Sequence, residues 1–275
     1  MAAPQPPAVL ITGASSGIGR AAALLFAERG WQVAATLRQP EQAQELASHP
    51  LIRLYRLDVT DAHSIRLAFA AALADLGRLD AVVNNAGYGL DGAFEAMDEE
   101  AIRRQFDTNV LGLMRVTQEA IRHFRAQGGG CIVQVSSVGG RMAYPFYSVY
   151  HSSKWAVEGF SESLAYELRP LGIRVKVVEP GPVRTDFFHR SRQFAGAGGL
   201  QAYEANVGRA VELQGIFERL AAPPESVAQT LFRAAVSRSG RLRYASDVIG
   251  AAFLLLRRLL PPALYRFIVR SAYRL

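Results

Sequence analysis

A chain of 275 residues, half of them hydrophobic and a fifth charged, can bury a full core and is too apolar for a disordered tether. Its one cysteine, Cys131, excludes an intramolecular disulfide framework, and its setting in Cys-Ile-Val-Gln-Val reads as a core thiol. The net charge of +7 is local: Arg257, Arg258, Arg266, Arg270 and Arg274 lie in residues 248–275 without an acid, so +7 less these five leaves +2 elsewhere, which speaks against a nucleic-acid binder.

Met1 to Pro7 has neither a basic patch nor an apolar core of a leader, and a cytoplasmic location is the expectation. Short apolar runs then predict strands at Ala8 to Thr12, Gln32 to Leu37, Leu51 to Leu57, Leu79 to Val83, Cys131 to Val135, Ile173 to Val178 and, more weakly, Arg241 to Ala245. Helical periods fill the gaps at Gly17 to Arg29, Ala62 to Leu76, Glu99 to Arg125 and Val149 to Leu168. Strands rich in Val, Ile and Leu between helices predict an α/β fold, a doubly wound parallel sheet of about seven strands with helices on both faces. A single domain is expected over 1–275, with a core over 1–246 and an extension over 247–275. Ligands of such a sheet collect at the carboxyl ends of its strands.

The first strand end reads Thr12-Gly13-Ala14-Ser15-Ser16-Gly17-Ile18-Gly19 and runs straight into a helix. Its three glycines permit a tight turn, and with Ser15, Ser16 and Ile18 the turn would bring backbone amides against a pyrophosphate at the positive helix end. The second strand ends in Thr36-Leu37-Arg38, with an arginine and no acid. An acid there would hold a ribose 2′-hydroxyl, whereas a cation suits a 2′-phosphate, so NADP(H) is expected over NAD(H).

Of the 31 cationic residues only two are lysine, and one of them, Lys154, stands four residues after Tyr150. Lysine is a compact, tunable point charge where arginine is a fixed planar fork. On a helix the spacing puts phenol and ammonium one turn apart, an arrangement expected to favour the phenolate.

Together these motifs resemble the short-chain dehydrogenase/reductase family through about residue 246. They run in order from the glycine turn through Asp58-Val59, Asn84-Asn85-Ala86-Gly87, Asn109, Ser136-Ser137 and Tyr150-x-x-x-Lys154 to Pro180-Gly181 with Thr185. The resemblance implies that Asp58 and Val59 hold an adenine, that Asn85, Ala86 and Gly87 line the adenosine side, and that Pro180, Gly181, Val183 and Thr185 lie at the nicotinamide end. It also implies a hydride-transfer enzyme. Tyr150 would be the proton donor or acceptor, Ser137 would orient the substrate oxygen, Lys154 would lower the Tyr150 pKa and bind the ribose, and Asn109 would support a proton path to the lysine. The family's thirteen-residue offset before the tyrosine selects Ser137 over Ser136.

Tyr144 and Tyr147 lack a lysine four residues on and are read as lining or covering a substrate pocket. The five histidines, at 49, 63, 123, 151 and 189, show no metal-ligand spacing, and surface or helix-end positions are expected. Glu99 and Glu100 fit the first turn of a helix. Substrate choice is placed in a less regular, lid-like stretch from Asp186 to Leu220, including Phe187, and in the C-terminal segment. The stretch after Tyr150 is similar to the hydroxysteroid and retinol dehydrogenase branch, which implies a lipophilic alcohol or ketone.

Ile249, Ala252, Phe253, Leu256 and Leu260 are helically spaced, and the tail is expected to pack on the protein or a sister subunit in preference to lying on a membrane; it is too short in apolar run to cross one. A homo-oligomer, dimer or tetramer, is expected. Two rival readings are a catalytically silent NADP(H)-binding regulator and a lyase or dehalogenase variant; the joint presence of Ser137, Tyr150 and Lys154 weighs against the first and the intact glycine turn against the second.

Overall fold

The structure is a computed structural model that describes residues 5–185 and 192–275. Its strands in chain order are β1 (Ala8–Thr12), β2 (Gln32–Leu37), β3 (Ile52–Arg56), β4 (Ala81–Asn84), β5 (Gly89–Gly92), β6 (Gly130–Val135), β7 (Ile173–Glu179), β8 (Arg192–Gly196) and β9 (Arg243–Ala245). The helices are α1 (Gly17–Glu28), α2 (Gln44–Ala47), α3 (Ala62–Leu76), α4 (Glu99–Phe106), α5 (Leu113–Gln127), α6 (Ser148–Leu168), α7 (Gln201–Arg219), α8 (Pro224–Val236), α9 (Val248–Leu259) and α10 (Pro262–Tyr273).

Seven strands form one sheet in the order β3-β2-β1-β4-β6-β7-β9, every neighbouring pair parallel. The apolar run of β1 shows why the sheet is sandwiched. Val9 and Ile11 enter a core with Phe26 of α1 and Leu231 of α8, while Ala8 and Leu10 face Phe69 of α3 and Phe124 of α5. Successive side chains point to opposite faces, so a strand apolar at every position needs helices on both. Full burial of such a Val, Leu or Phe contributes about 1.5–3 kcal/mol, which sets the register against slippage.

The chain builds outward from β1 to β3, then returns to place β4 on the other side of β1. That reversal opens a crevice at the carboxyl ends of β1 and β4. Helix ends follow local chemistry: Asp61 accepts a bond from the His63 amide at the start of α3, and Gly77 closes that helix in the left-handed region at φ 74°. Asp98 caps α4, with Glu99 and Glu100 in its first turn as expected.

The structure departs from the sequence expectation over Glu99 to Arg125, over Asp186 to Leu220 and at Gly89–Gly92, where no strand was expected. The single helix expected over Glu99 to Arg125 is divided by a π-helical segment, Asp107–Gly112, between α4 and α5. Tertiary contacts account for the change of period. Gly112 lies so close to β3's exit loop that a Cβ there would stand 2.8 Å from Val59 Cγ2, and the Asn109 side chain is drawn inward to the Tyr88 backbone.

The stretch expected to be irregular from Asp186 to Leu220 contains the 19-residue helix α7 and the strand β8. β8 pairs in parallel with β5, a glycine-rich strand with no apolar alternation to announce it, and the Arg192 guanidinium grips the buried Asp91 carboxylate between them. A paired, largely desolvated ion pair of this kind holds geometry more than it adds stability.

Candidate active site

A cleft of about 1250 Å³ opens at the carboxyl ends of the strands. At one end lies the β1–α1 turn. Gly13 and Gly17 adopt φ of 67° and 52°, which side chains with a Cβ tolerate poorly, and a Cβ on Gly19 would fall 2.2 Å from the Gly13 carbonyl oxygen. Ser16 occupies the N-cap of α1 without a side-chain cap bond, and the first turn has no acid. The free helix amides and the positive end of the dipole therefore face the cleft beside Ser15 and Ile18, a cradle that fits a dinucleotide's phosphates.

The loop after β4 is clipped to this turn. The Asn85 side-chain amide donates to the carbonyls of Thr12 (2.9 Å) and Gly13 (3.1 Å), while Thr12 Oγ1 accepts from the backbone amides of Asn85 and Ala86, each at 3.0 Å. Thr12, which opens the glycine motif in sequence, is the residue through which the two loops are joined, a role that its being the one polar residue of β1 signals. Arg38, at the end of β2, and Asp58, Val59 and Gly87 line the same end of the cleft. Asp58 Oδ1 is held by the Thr60 amide (2.9 Å) and hydroxyl (2.7 Å), and Arg38 is exposed with no ion pair among the described residues.

Pro180, Gly181, Val183 and Thr185 line the wall after β7. The Gly181 amide donates to Asp247 Oδ2 (3.0 Å), tying this wall to the cap of α9. Thr185 lies over the glycine turn, close enough that a Cβ on Gly17 would meet its Cγ2 at 3.1 Å.

The inner end of the cleft carries Ser137, Tyr150 and Lys154. Ser137 follows β6, and its hydroxyl accepts the Gly139 amide (3.1 Å) and is hydrogen-bonded with Tyr150. Ser136, its neighbour, instead points its hydroxyl inward beneath Gly140, without a partner among the described residues. The structure thus brings Ser137, not Ser136, to the tyrosine. Lys154 is buried one turn along α6, its Nζ donating to the Val135 carbonyl (2.9 Å) and standing 6.0 Å from the Tyr150 ring centroid.

The electrostatics correct one expectation. Burial pushes the Tyr150 phenol above its ordinary range, and the bond with Ser137 opposes that rise without cancelling it. Lys154 itself is lowered to about 8 by burial, with Glu158 on the next turn pulling the other way. The desolvation of both groups outweighs the mutual tuning that their spacing alone predicts.

Asn109 does not line the cleft. It sits buried in the π-helical segment with both amide atoms used: Oδ1 accepts the Tyr88 amide (3.0 Å), and Nδ2 donates to the Tyr88 carbonyl (2.9 Å) and to Ser153 Oγ (3.3 Å). Tyr144 and Tyr147 both line the cleft, with ring centroids 5.0 Å apart, and the Tyr147 hydroxyl bonds Gln214 on α7 (3.1 Å). Phe187 and His189 lie outside the described residues.

His151 lies in the first turn of α6, at a helix end as expected, but away from the surface. It is buried against the Tyr144 and Tyr147 rings, and its burial lowers the imidazole to about 4, so it is neutral at pH 7. No cluster that could hold a metal occurs among the described residues. Cys131 is buried as read from its surroundings, its thiol raised to about 11.

The cleft is also lined by apolar side chains from segments distant in sequence: Phe217 from α7, Phe253, Leu256 and Leu260 from the α9 region, and Ile268 and Val269 from α10. Arg192 also reaches the cleft, a polar lining residue whose β5–β8 setting the sequence does not disclose.

A doubly wound parallel sheet with a glycine cradle at its switch point defines a nucleotide-binding α/β protein. The family model for short chain dehydrogenases matches residues 7–196, and the chain belongs to that family as an oxidoreductase. A 3-ketodihydrosphingosine reductase of Bacteroides thetaiotaomicron is 39% identical over 183 residues, covering 66% of each chain. The uncharacterized oxidoreductase YbbO of Escherichia coli is 32% identical over 254 residues, 92% of this chain and 90% of that one. A short-chain dehydrogenase from Streptomyces avermitilis superposes with a TM-score of 0.84 at 33% identity, covering 98% of this chain and 97% of its own.

Proposed function

We propose that the protein is an NADP(H)-dependent oxidoreductase acting on a ketone or secondary alcohol of a bulky, lipophilic substrate, steroid-, retinoid- or lipid-like. The observation that carries this reading is the meeting of Tyr150 and Ser137, beside buried Lys154, in one cleft that Phe217, Phe253, Leu256 and Ile268 also line. The Bacteroides relative is a 3-ketodihydrosphingosine reductase, which supports a ketone of this kind. Gly13, Ser15, Ser16, Gly17, Ile18 and Gly19 would hold the cofactor's phosphates, Arg38 the 2′-phosphate, and Asp58, Val59 and Asn85 to Gly87 its adenosine side. Pro180 to Thr185 and Lys154 would hold the nicotinamide end. When bound, the cofactor supplies or accepts the hydride.

In reduction Tyr150 gives its phenolic proton to the substrate oxygen as negative charge gathers there, and Ser137 donates a hydrogen bond that fixes that oxygen beside the phenol. The raised phenol stays protonated at neutral pH, the form required of a donor. Lys154 serves as a nearby cation that stabilises the phenolate left behind. Asn109 acts as a positioning residue, fixing the Tyr88 backbone beside Gly87 and Ser153 beside Lys154. Residues 186–220 serve as the substrate lid, with Gln214 and Phe217 of α7 lining the cleft.

Two outcomes check this account. Arg38→Ala is expected to weaken NADPH binding about tenfold or more, with little effect on NADH, as a lost charge-assisted phosphate contact contributes about 1.5–3 kcal/mol. Equal small losses for both cofactors, measured by titration side by side, would contradict NADP(H) preference. The pH profile follows from Lys154: its cation is complete well below about 8 and is lost as pH rises through that value. Reductive turnover is therefore expected to fall above about pH 8, where the phenol, raised beyond its ordinary value, is still protonated. A flat profile from pH 7 to 9.5, approximately the range in which an amine so lowered must titrate, would contradict it.

A further inference from the structure

We propose that the outer faces of α9 and α10 dock onto an anionic lipid surface and hold the apolar rim of the cleft against it. On α9, Val248, Ala252, Leu255 and Leu259 recur at intervals of four, three and four residues and form one stripe along the helix. Val248 is 85% exposed, Leu255 57% and Leu259 70%; on α10, Phe267 is 66% exposed. Apolar side chains gathered at such exposure on adjoining helices mark an interaction surface more often than isolated ones do.

The helices are fixed in place on their inner side. Phe253 meets Phe217 edge to face with ring centroids 5.9 Å apart, the Tyr265 hydroxyl donates to the Ala143 carbonyl (2.8 Å), and Arg209 donates to the Ala272 carbonyl (3.1 Å). The inner face thus packs on the rest of the chain, and the apolar stripe is left over after that packing is satisfied.

Charge decides the occupant. The five arginines of residues 248–275 have no acid among them in sequence, and none forms an ion pair among the described residues. Arg258, Arg266, Arg270 and Arg274 are exposed beside the apolar side chains. A second copy laid face to face would bring two sets of five like charges together, whereas an anionic lipid surface complements both the guanidinium groups and the leucines. Neither helix is long and apolar enough to cross a bilayer, which leaves an in-plane position.

The stripe is continuous with the site. Leu256 and Ile268 line the cleft yet remain 46% and 42% exposed, so they belong to both surfaces. A lipophilic substrate could pass from acyl chains along these residues into the cleft with little exposure to water. This delivery role rests on the substrate class proposed above; the docking itself does not.

The test is sedimentation of the full-length protein with vesicles of phosphatidylcholine, with and without roughly one-third phosphatidylglycerol. Binding is expected to the anionic vesicles, and R258Q/R266Q/R270Q should weaken it on the order of 100-fold at low salt, about a factor of five per arginine. The variant L255S/L259S/F267S should weaken it roughly tenfold or more while leaving NADPH binding and turnover of a water-soluble ketone unchanged. No sedimentation with anionic vesicles, or equal sedimentation of wild type and both variants, overturns the proposal. So does a dimer, seen by light scattering, that L255S/L259S/F267S dissolves while vesicle binding persists. Because sedimentation needs no catalysis, its failure and a failure of the oxidoreductase reading are separable.

Discussion

Replacing Tyr150 by Phe is expected to lower turnover by about 10³-fold while cofactor affinity stays within roughly threefold of wild type, since general acid catalysis contributes about 10² to 10⁴. The substitution removes the hydroxyl and leaves the ring that packs between Lys154 and Tyr147. Separate measurement of NADPH binding by fluorescence titration and of turnover by absorbance distinguishes the two effects. Equal loss of both would mean that Tyr150 supports the fold of the cleft rather than the proton transfer. Turnover near the wild-type level would remove the proposed mechanism altogether.

Gly19→Ala is expected to have the second-largest effect, and of the opposite kind. Its Cβ would stand 2.2 Å from the Gly13 carbonyl oxygen and 2.6 Å from Asn85 Nδ2, so the β1–α1 turn or the Asn85 clip has to shift. Overpacking of this kind costs about 1–3 kcal/mol of stability, and a displaced phosphate cradle should weaken NADPH on the order of 100-fold. Thermal melting and cofactor titration read the two losses separately. Retained affinity would show that the glycine at this position serves helix packing alone.

The central sheet was legible because its physics is local. In β1 every residue but Thr12, and in β2 every residue but Gln32 and Thr36, is apolar, as expected of strands buried on both faces. The turn from Thr12 to Gly19 was legible because positive φ and close backbone approach leave glycine as the residue that fits.

Features fixed by distant contacts were not legible. The β5–β8 pair joins residues about a hundred positions apart through Asp91 and Arg192, and nothing in the run from Gly89 to Gly92 signals a strand. The π-helical break at Asn109 arises from the Tyr88 backbone and Val59 pressing on a segment whose own pattern is helical. Likewise, His151 is buried because Tyr144 and Tyr147 fold back over it, which spacing along one helix does not disclose.

The balance at Tyr150 and Lys154 has the same origin. Sequence spacing correctly places ammonium and phenol on one helix face, and from that alone the lysine should draw the phenol down. Burial acts on both groups at once, raising the phenol and lowering the amine. How deeply each is covered depends on β6, the Ser137 turn and the wall after β7, so the sign of the net shift belongs to the assembled site. The chain's other lysine follows a parallel pattern, buried on β7 with Nζ donating to the carbonyls of Ser239 (2.6 Å) and Arg241 (2.7 Å). In a sequence that otherwise uses arginine, lysine stands where a compact cation must fit beneath backbone carbonyls.

The central claim, hydride transfer to a bulky ketone at Tyr150, is tested most directly with NADPH deuterated at the transferring carbon. The wild-type protein is incubated with a panel of lipophilic ketones and each of the two stereospecifically labelled cofactors, and the alcohol products are weighed by mass spectrometry. The account predicts an alcohol carrying one deuterium at the carbinol carbon from one of the two labels, formed about 10³-fold more slowly with Tyr150→Phe. Tight NADPH binding with no labelled alcohol from any ketone in the panel would contradict it.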